Sequence, residues 1–258
     1  MIVNCYYGLQ TGLAVGVAVS LPWSTWATSI LIALWLVAVL PTMEIGLVRR
    51  ELATAAGGLP VLLWILAAVG MLWAGVPWAA RLGALSAFHR LLVIPLLLAQ
   101  FRRSDYGTVV LYGFLASATC LLAVSWAFAL IPALGVHGKM YGVPVKDYIS
   151  QSGIFVICAF ALISAACEFW RARNPRVVGA LSVLAGLFLS NIAFVVTSRT
   201  TLVVGLALAV ALGYRQAGLN GIAAAGLVAV AFAGMVWLES PYLRARPRNC
   251  GPIRTAMN

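Results

Sequence analysis

Long apolar runs broken by short polar steps set the pattern of this chain. The runs cover residues 5–21, 24–41, 58–75, 84–100, 107–131, 153–170, 177–196, 201–213 and 220–238. A helix needs about 20 apolar residues to cross a bilayer core, and most of these runs approach that length. They are continuous, whereas the strands of a membrane barrel alternate apolar and polar residues. Lipid offers no partner to free backbone groups, so such segments cross as helices. The pattern therefore predicts an all-α, polytopic helical membrane protein with about nine transmembrane helices, in a range of about eight to ten. Pro22 and Trp23 alone part the first two runs, and the eighth run is short, so either fits a half-span or a re-entrant piece. Residues 1–239 read as a single integral membrane helical domain and 240–258 as a polar tail. The sequence has no internal repeat.

Composition agrees. Hydrophobic residues make up 63% and charged residues 9% of the chain, with a mean hydropathy of +1.02. A soluble domain carries about 25% charged residues. The net charge of +11 raises nucleic acid as a partner, but its placement excludes that reading. Arginines gather in the short breaks: Arg49 and Arg50, Arg102 and Arg103, Arg171 with Arg173 and Arg176, and Arg215. This is the distribution of cytoplasmic loops under the positive-inside rule, and it predicts a cytoplasmic N-terminus. The opposite connections carry Arg81, Lys139, Lys146 and Arg199. The tail arginines Arg244, Arg246, Arg248 and Arg254 fall on the outer side of a nine-span chain, against the rule. The N-terminus lacks the basic region of a secretory signal, so the first run is expected to be retained. The five cysteines have no metal-ligand spacing and read as free thiols. No metal site and no cofactor is expected.

Two connections are longer than the rest. Met43 to Gly58, with Glu44, Arg49, Arg50 and Glu51, reads as a solvated inner loop. Pro132 to Ser152 reads as an outer surface loop, rich in glycine and polar residues and including His137 and Lys139. Loops on a rigid scaffold are where recognition is concentrated.

Chemistry-bearing residues are few. Arg199 sits in Thr197-Ser198-Arg199-Thr200, a polar break between two apolar runs. A guanidinium there offers a fixed fork of donors for phosphate or carboxylate. The plainer reading is a snorkelled cation at a short turn. Arg90 lies near the start of the fourth run, ahead of Pro95, and either faces a cavity or snorkels to the interface. His89 fits a bond to neighbouring backbone, and Glu168 fits a pair with Arg171 or Arg173. Gln151 and Ser152 open the sixth run, where Ser150 or Ser152 suits a helix cap. Asn191 lies seven residues before Ser198, nearly the same helical face, so the two either line one cavity or Asn191 bonds a neighbouring helix. Nothing specifies hydrolase chemistry, since neither an H-E-x-x-H nor a Ser-His-Asp pattern is present.

The order of these features resembles the O-antigen ligase and O-antigen polymerase-like superfamily. An Arg-bearing span is followed by a proline. An outer loop closes on Asp147-Tyr148-Ile149-Ser150-Gln151-Ser152, and Asn191 to Thr197 leads into Ser198-Arg199-Thr200. The resemblance implies a multi-pass glycosyltransferase of the bacterial inner membrane, acting in lipopolysaccharide or related polysaccharide biosynthesis. Such a protein moves a glycan from undecaprenyl diphosphate to an acceptor sugar or lipid. It further implies that Arg199, with Ser198, Gln151 and more loosely Arg90, binds the lipid-linked donor. The family places a histidine and another arginine in a large periplasmic loop. Here Ser240 to Arg246 resembles the start of that loop, and Pro247 to Arg254 trails off without an apolar run. On this reading the chain is a truncated, donor-binding half, and no residue receives a catalytic role. The competing classes are a transporter or flippase for an anionic lipid or small solute, and a non-catalytic membrane subunit.

Overall fold

A computed structural model describes residues 2–86, 88–102, 106–131, 143–144, 147–195 and 198–239. His137, Lys139, Lys146, Thr197 and the tail 240–258 lie outside these residues. Among the described residues ten α-helices follow one another: α1 (Ile2–Ser20), α2 (Thr25–Val39), α3 (Ile45–Leu52), α4 (Ala55–Gly70), α5 (Trp78–Ser86), α6 (Val93–Phe101), α7 (Gly107–Leu130), α8 (Tyr148–Arg171), α9 (Pro175–Phe194) and α10 (Arg199–Glu239). No strand occurs among the described residues. The all-helical expectation therefore holds.

Among the described residues five helices are long and apolar enough to cross a membrane, and seven spans result if each of two bent pairs, α3 with α4 and α5 with α6, counts as one. By length and composition this is a membrane protein. The expected count of about nine is not reached on that measure. Helix α1 offers only a shorter apolar segment, Gly8–Ser20. The eighth and ninth runs form one element, α10, interrupted at Ala217 and Gly218, where Gly218 has φ 60°. Glycine takes that left-handed conformation without steric cost. Gly221 then comes so close to Gly213 that a Cβ on it would collide with the Gly213 carbonyl.

The helices cluster into two units, with α7 passing from the first into the second after Phe114. In the first unit α1 lies along α2, and Ala14, Trp35 and Val39 form a buried centre packed by Leu36, Val93, Leu97 and Phe101. The buried Gln10 and Trp35 side chains are paired over long sequence distances. Gln10 Nε2 donates to the Ala38 carbonyl (2.9 Å) and to Thr42 Oγ1 (2.8 Å), and Trp35 Nε1 donates to Gln100 Oε1 (2.8 Å). The stretch Met43 to Gly58 is not a solvated loop. It forms α3 and the start of α4, meeting at an 83° bend. Glu51 turns inward there to an ion pair with Arg102. A carboxylate enters a low-dielectric interior only with such a partner, and this one comes from beyond α6. At the bend Gly57 approaches the Glu51 carbonyl so closely that a Cβ would lie 2.5 Å from that oxygen.

In the second unit α8 and α9 pack as a hairpin, with Phe155 and Phe188 edge to face at 5.2 Å and Cys158, Ala159 and Ile192 buried around them. Trp23 joins this unit by donating from Nε1 to Ser117 Oγ at 2.8 Å. The α8–α9 turn is a Schellman stop. The Arg173 N–H reaches the Trp170 carbonyl (3.0 Å), the Asn174 N–H reaches the Phe169 carbonyl (3.1 Å), and Pro175 opens α9. The left-handed position usually held by glycine is occupied by Arg173, at φ 56°. For an L-residue with a side chain this costs about 1 kcal/mol.

Candidate functional site

The polar residues of the motif stretches meet in the second unit. Helix α8 begins at Tyr148 because Asp147 caps it: Oδ1 accepts from the Ser150 N–H (2.8 Å) and Oδ2 from the Ser150 hydroxyl (2.7 Å). The same two bonds hold the Asp147 carboxyl below its ordinary range. The cap is thus Asp147, not Ser150 or Ser152. Gln151 and Ser152 consequently face inward from the first turn of α8, at 1% and 0% exposure.

Behind them lies a buried hydrogen-bonded cluster. Gln151 Nε2 donates to Ser125 Oγ of α7 (2.9 Å), and Ser125 also faces the Asn191 amide of α9, with Nδ2 at 3.2 Å and Oδ1 at 3.3 Å. Asn191 therefore makes an interhelical bond. Ser152 Oγ lies 3.0 Å from the Ile149 carbonyl and 2.6 Å from Thr201 Oγ1. A hydroxyl has one proton, so if Ser152 donates to Ile149 then Thr201 donates to Ser152. This contact ties the first turns of α8 and α10 side by side. Ser198 is buried just before α10, and its carbonyl accepts from the Leu202 N–H (3.3 Å).

Arg199 is the first residue of α10, one turn from Thr201, and its side chain lies outside the described residues. Two helix N-termini thus converge beside Ser198 and Arg199, and each carries a partial positive charge. Asp147 already satisfies part of the α8 end, which leaves the α10 end as the more favourable place for an anion. From Thr201 an apolar cavity of about 450 Å³ runs between α8 and α10, past Val156, Phe160 and Leu206 to Gln216.

The expected site residues are therefore divided. Gln151 and Ser198 belong to this region of the second unit, as does the backbone of Arg199. Arg90 belongs to the first unit, in a short 3-10 turn before α6, where it is exposed and donates from Nη2 to Ser29 Oγ at 3.3 Å. His89 Nδ1 lies 3.3 Å from the Ser86 carbonyl, the local backbone contact expected of it. Glu168 pairs with Arg171 and with Arg215, each at 3.5 Å. The sequence reading missed Ser125 and Thr201. A serine set among apolar residues in the last third of α7 was the available signal for the first. No group of three or more potential metal ligands occurs among the described residues.

Compared with protein-family models, with curated proteins and with solved structures, the chain matches none.

Proposed function

We propose that this protein is a multi-pass glycosyltransferase of the O-antigen ligase or polymerase type, with undecaprenyl diphosphate-linked glycan as donor and a glycan or lipid as acceptor. One observation carries the reading. Motif residues Gln151 and Asn191, from separate stretches, both bond the buried Ser125, and Ser152, next to Gln151, bonds Thr201 in the first turn of α10, beside Ser198 and Arg199. That cluster adjoins the start of α10, where Arg199 and the helix dipole both favour an anion. The adjoining apolar cavity suits part of a polyprenyl chain. A diphosphate leaving group gathers negative charge as the glycosidic bond breaks, and a fixed guanidinium stabilises it. In this reading the protein resides in a bacterial inner membrane with its N-terminus in the cytoplasm. Nine crossings follow when α1 and the second limb of α10 each count as a span.

The test is binding of undecaprenyl diphosphate to the purified protein in nanodiscs. Tight binding is expected, with undecaprenyl monophosphate weaker. Arg199→Ala should reduce diphosphate affinity about a hundredfold, the equivalent of about 3 kcal/mol for a charge-assisted contact to phosphate. Arg199→Lys should retain part of it, keeping the charge without the fork. Unchanged binding in Arg199→Ala defeats the proposal.

A further inference from the structure

At the opposite end of α8 the second unit carries another feature, a groove that meets the cavity described above at Leu189 and Gln216. Trp170, 71% exposed, stands beside Arg171 and Arg173 at the mouth of a groove of about 500 Å³. A second groove of about 480 Å³ shares Trp170, Arg171 and Val178 with the first and continues between α8 and α9 to Leu189. The mouth is cationic and the depth is apolar.

Three observations give it an occupant. The first is charge. Glu168 is held by Arg171 and Arg215, and Arg173 has no ion-pair partner among the described residues. The second is an unused donor. Gln216, on the groove wall, accepts from Arg171 Nη2 at 2.5 Å through Oε1, while its Nε2 is shielded from solvent and has no hydrogen-bond partner among the described residues. The third is depth. From Val178 to Leu189 along α9 is about 16 Å at 1.5 Å per residue. That is about half of a 30 Å hydrocarbon core, the reach of one leaflet. Tryptophan and arginine at a helix end also mark the membrane interface. We infer that this groove binds an anionic phospholipid, with the phosphodiester on Arg171 and Arg173, Gln216 Nε2 donating to the linker region, and one acyl chain lying between α8 and α9.

Arginine at the left-handed stop of α8 separates function from folding. Arg173→Gly removes the guanidinium and supplies the residue that the backbone there prefers, so the lipid-free protein should melt no lower than the parent. Gly186 lies on the apolar wall, and a Cβ built on it meets nothing within 4 Å. Gly186→Leu should therefore fill the groove without disturbing the helix pair.

Native mass spectrometry of the detergent-purified protein, titrated with dioleoyl phosphatidylglycerol, dioleoyl phosphatidylcholine or inorganic phosphate, reads the outcome. Phosphatidylglycerol should bind at least tenfold more tightly than phosphatidylcholine. Arg173→Gly should lower phosphatidylglycerol affinity about tenfold, as expected for one charged hydrogen bond. Gly186→Leu should weaken both lipids. Equal affinity for the two lipids, or unchanged phosphatidylglycerol binding in either variant, overturns the inference. So does inorganic phosphate that displaces the lipid at a matching concentration, because the apolar groove would then contribute nothing.

Discussion

Ser125 is the joint of the buried cluster, and deleting its hydroxyl gives the sharpest test of that arrangement. Ser125→Ala removes the acceptor for Gln151 Nε2 at 2.9 Å and for Asn191 Nδ2 at 3.2 Å, both on side chains at most 1% exposed. In a soluble protein each buried group left without its partner costs about 1–3 kcal/mol. Interhelical bonds in membranes are weaker, averaging about 0.6 and reaching about 1.7 kcal/mol, because the unfolded chain in lipid also finds partners. The membrane figure governs here, so two contacts amount to about 1–2 kcal/mol. Unfolding in mixed micelles with increasing SDS measures it. The control is Ser190→Ala, a partly exposed serine whose hydroxyl bonds the Gly186 carbonyl of its own helix. It should stay within about 0.5 kcal/mol of the parent. A double-mutant cycle with Asn191→Leu should show a coupling of about 0.5–1.5 kcal/mol. Replacing Ser125, Gln151 and Asn191 together by Ala, Leu and Leu should recover part of the loss, since apolar groups in all three places remove the mutual bonds without stranding any of the three side chains. If Ser125→Ala matches the Ser190 control and the coupling is zero, the cluster does not join α7, α8 and α9.

Three further outcomes follow. Asp147→Ala should destabilise α8 by about 1 kcal/mol and Asp147→Asn hardly at all, because asparagine caps equally well. The Asp147 carboxyl is held below its ordinary range, so the charge-dependent part of its contribution is complete above about pH 4 and is lost as pH falls through the lowered value. Unfolding curves at descending pH should therefore converge for the parent and the Ala variant. In the first unit, Arg102→Ala strands the Glu51 carboxylate, whose side chain is 4% exposed, and should cost about 2–4 kcal/mol. Glu51→Gln should cost less, because Arg102 is half exposed and can turn to solvent; equal losses would contradict an inward-facing carboxylate. Gly57→Ala should lower thermal stability by about 1–3 kcal/mol through its clash with the Glu51 carbonyl, whereas Gly70→Ala in the same helix, with open space around it, should not.

The apolar runs alone were enough to determine helices, because a backbone in lipid has no other way to satisfy its own polar groups. They could not assign faces. Helices such as α7 and α10 are apolar on every side, so no stripe distinguishes the packed face from the lipid face. Gln151 illustrates this: at the start of an apolar run it has the pattern of an interfacial residue, and only the approach of Ser125, twenty-six positions away, draws it inside. Glu51 likewise has the pattern of a loop residue until Arg102 meets it. Gly218 alone carried no signal strong enough to say that two short runs form one broken element, since a single glycine within an apolar run is ordinary. The residues around Arg199 were visible in sequence as a polar break. That Ser152 and Thr201 bring two helix starts together was decided by the packing of α8 against α10, a long-range contact that local propensity cannot encode.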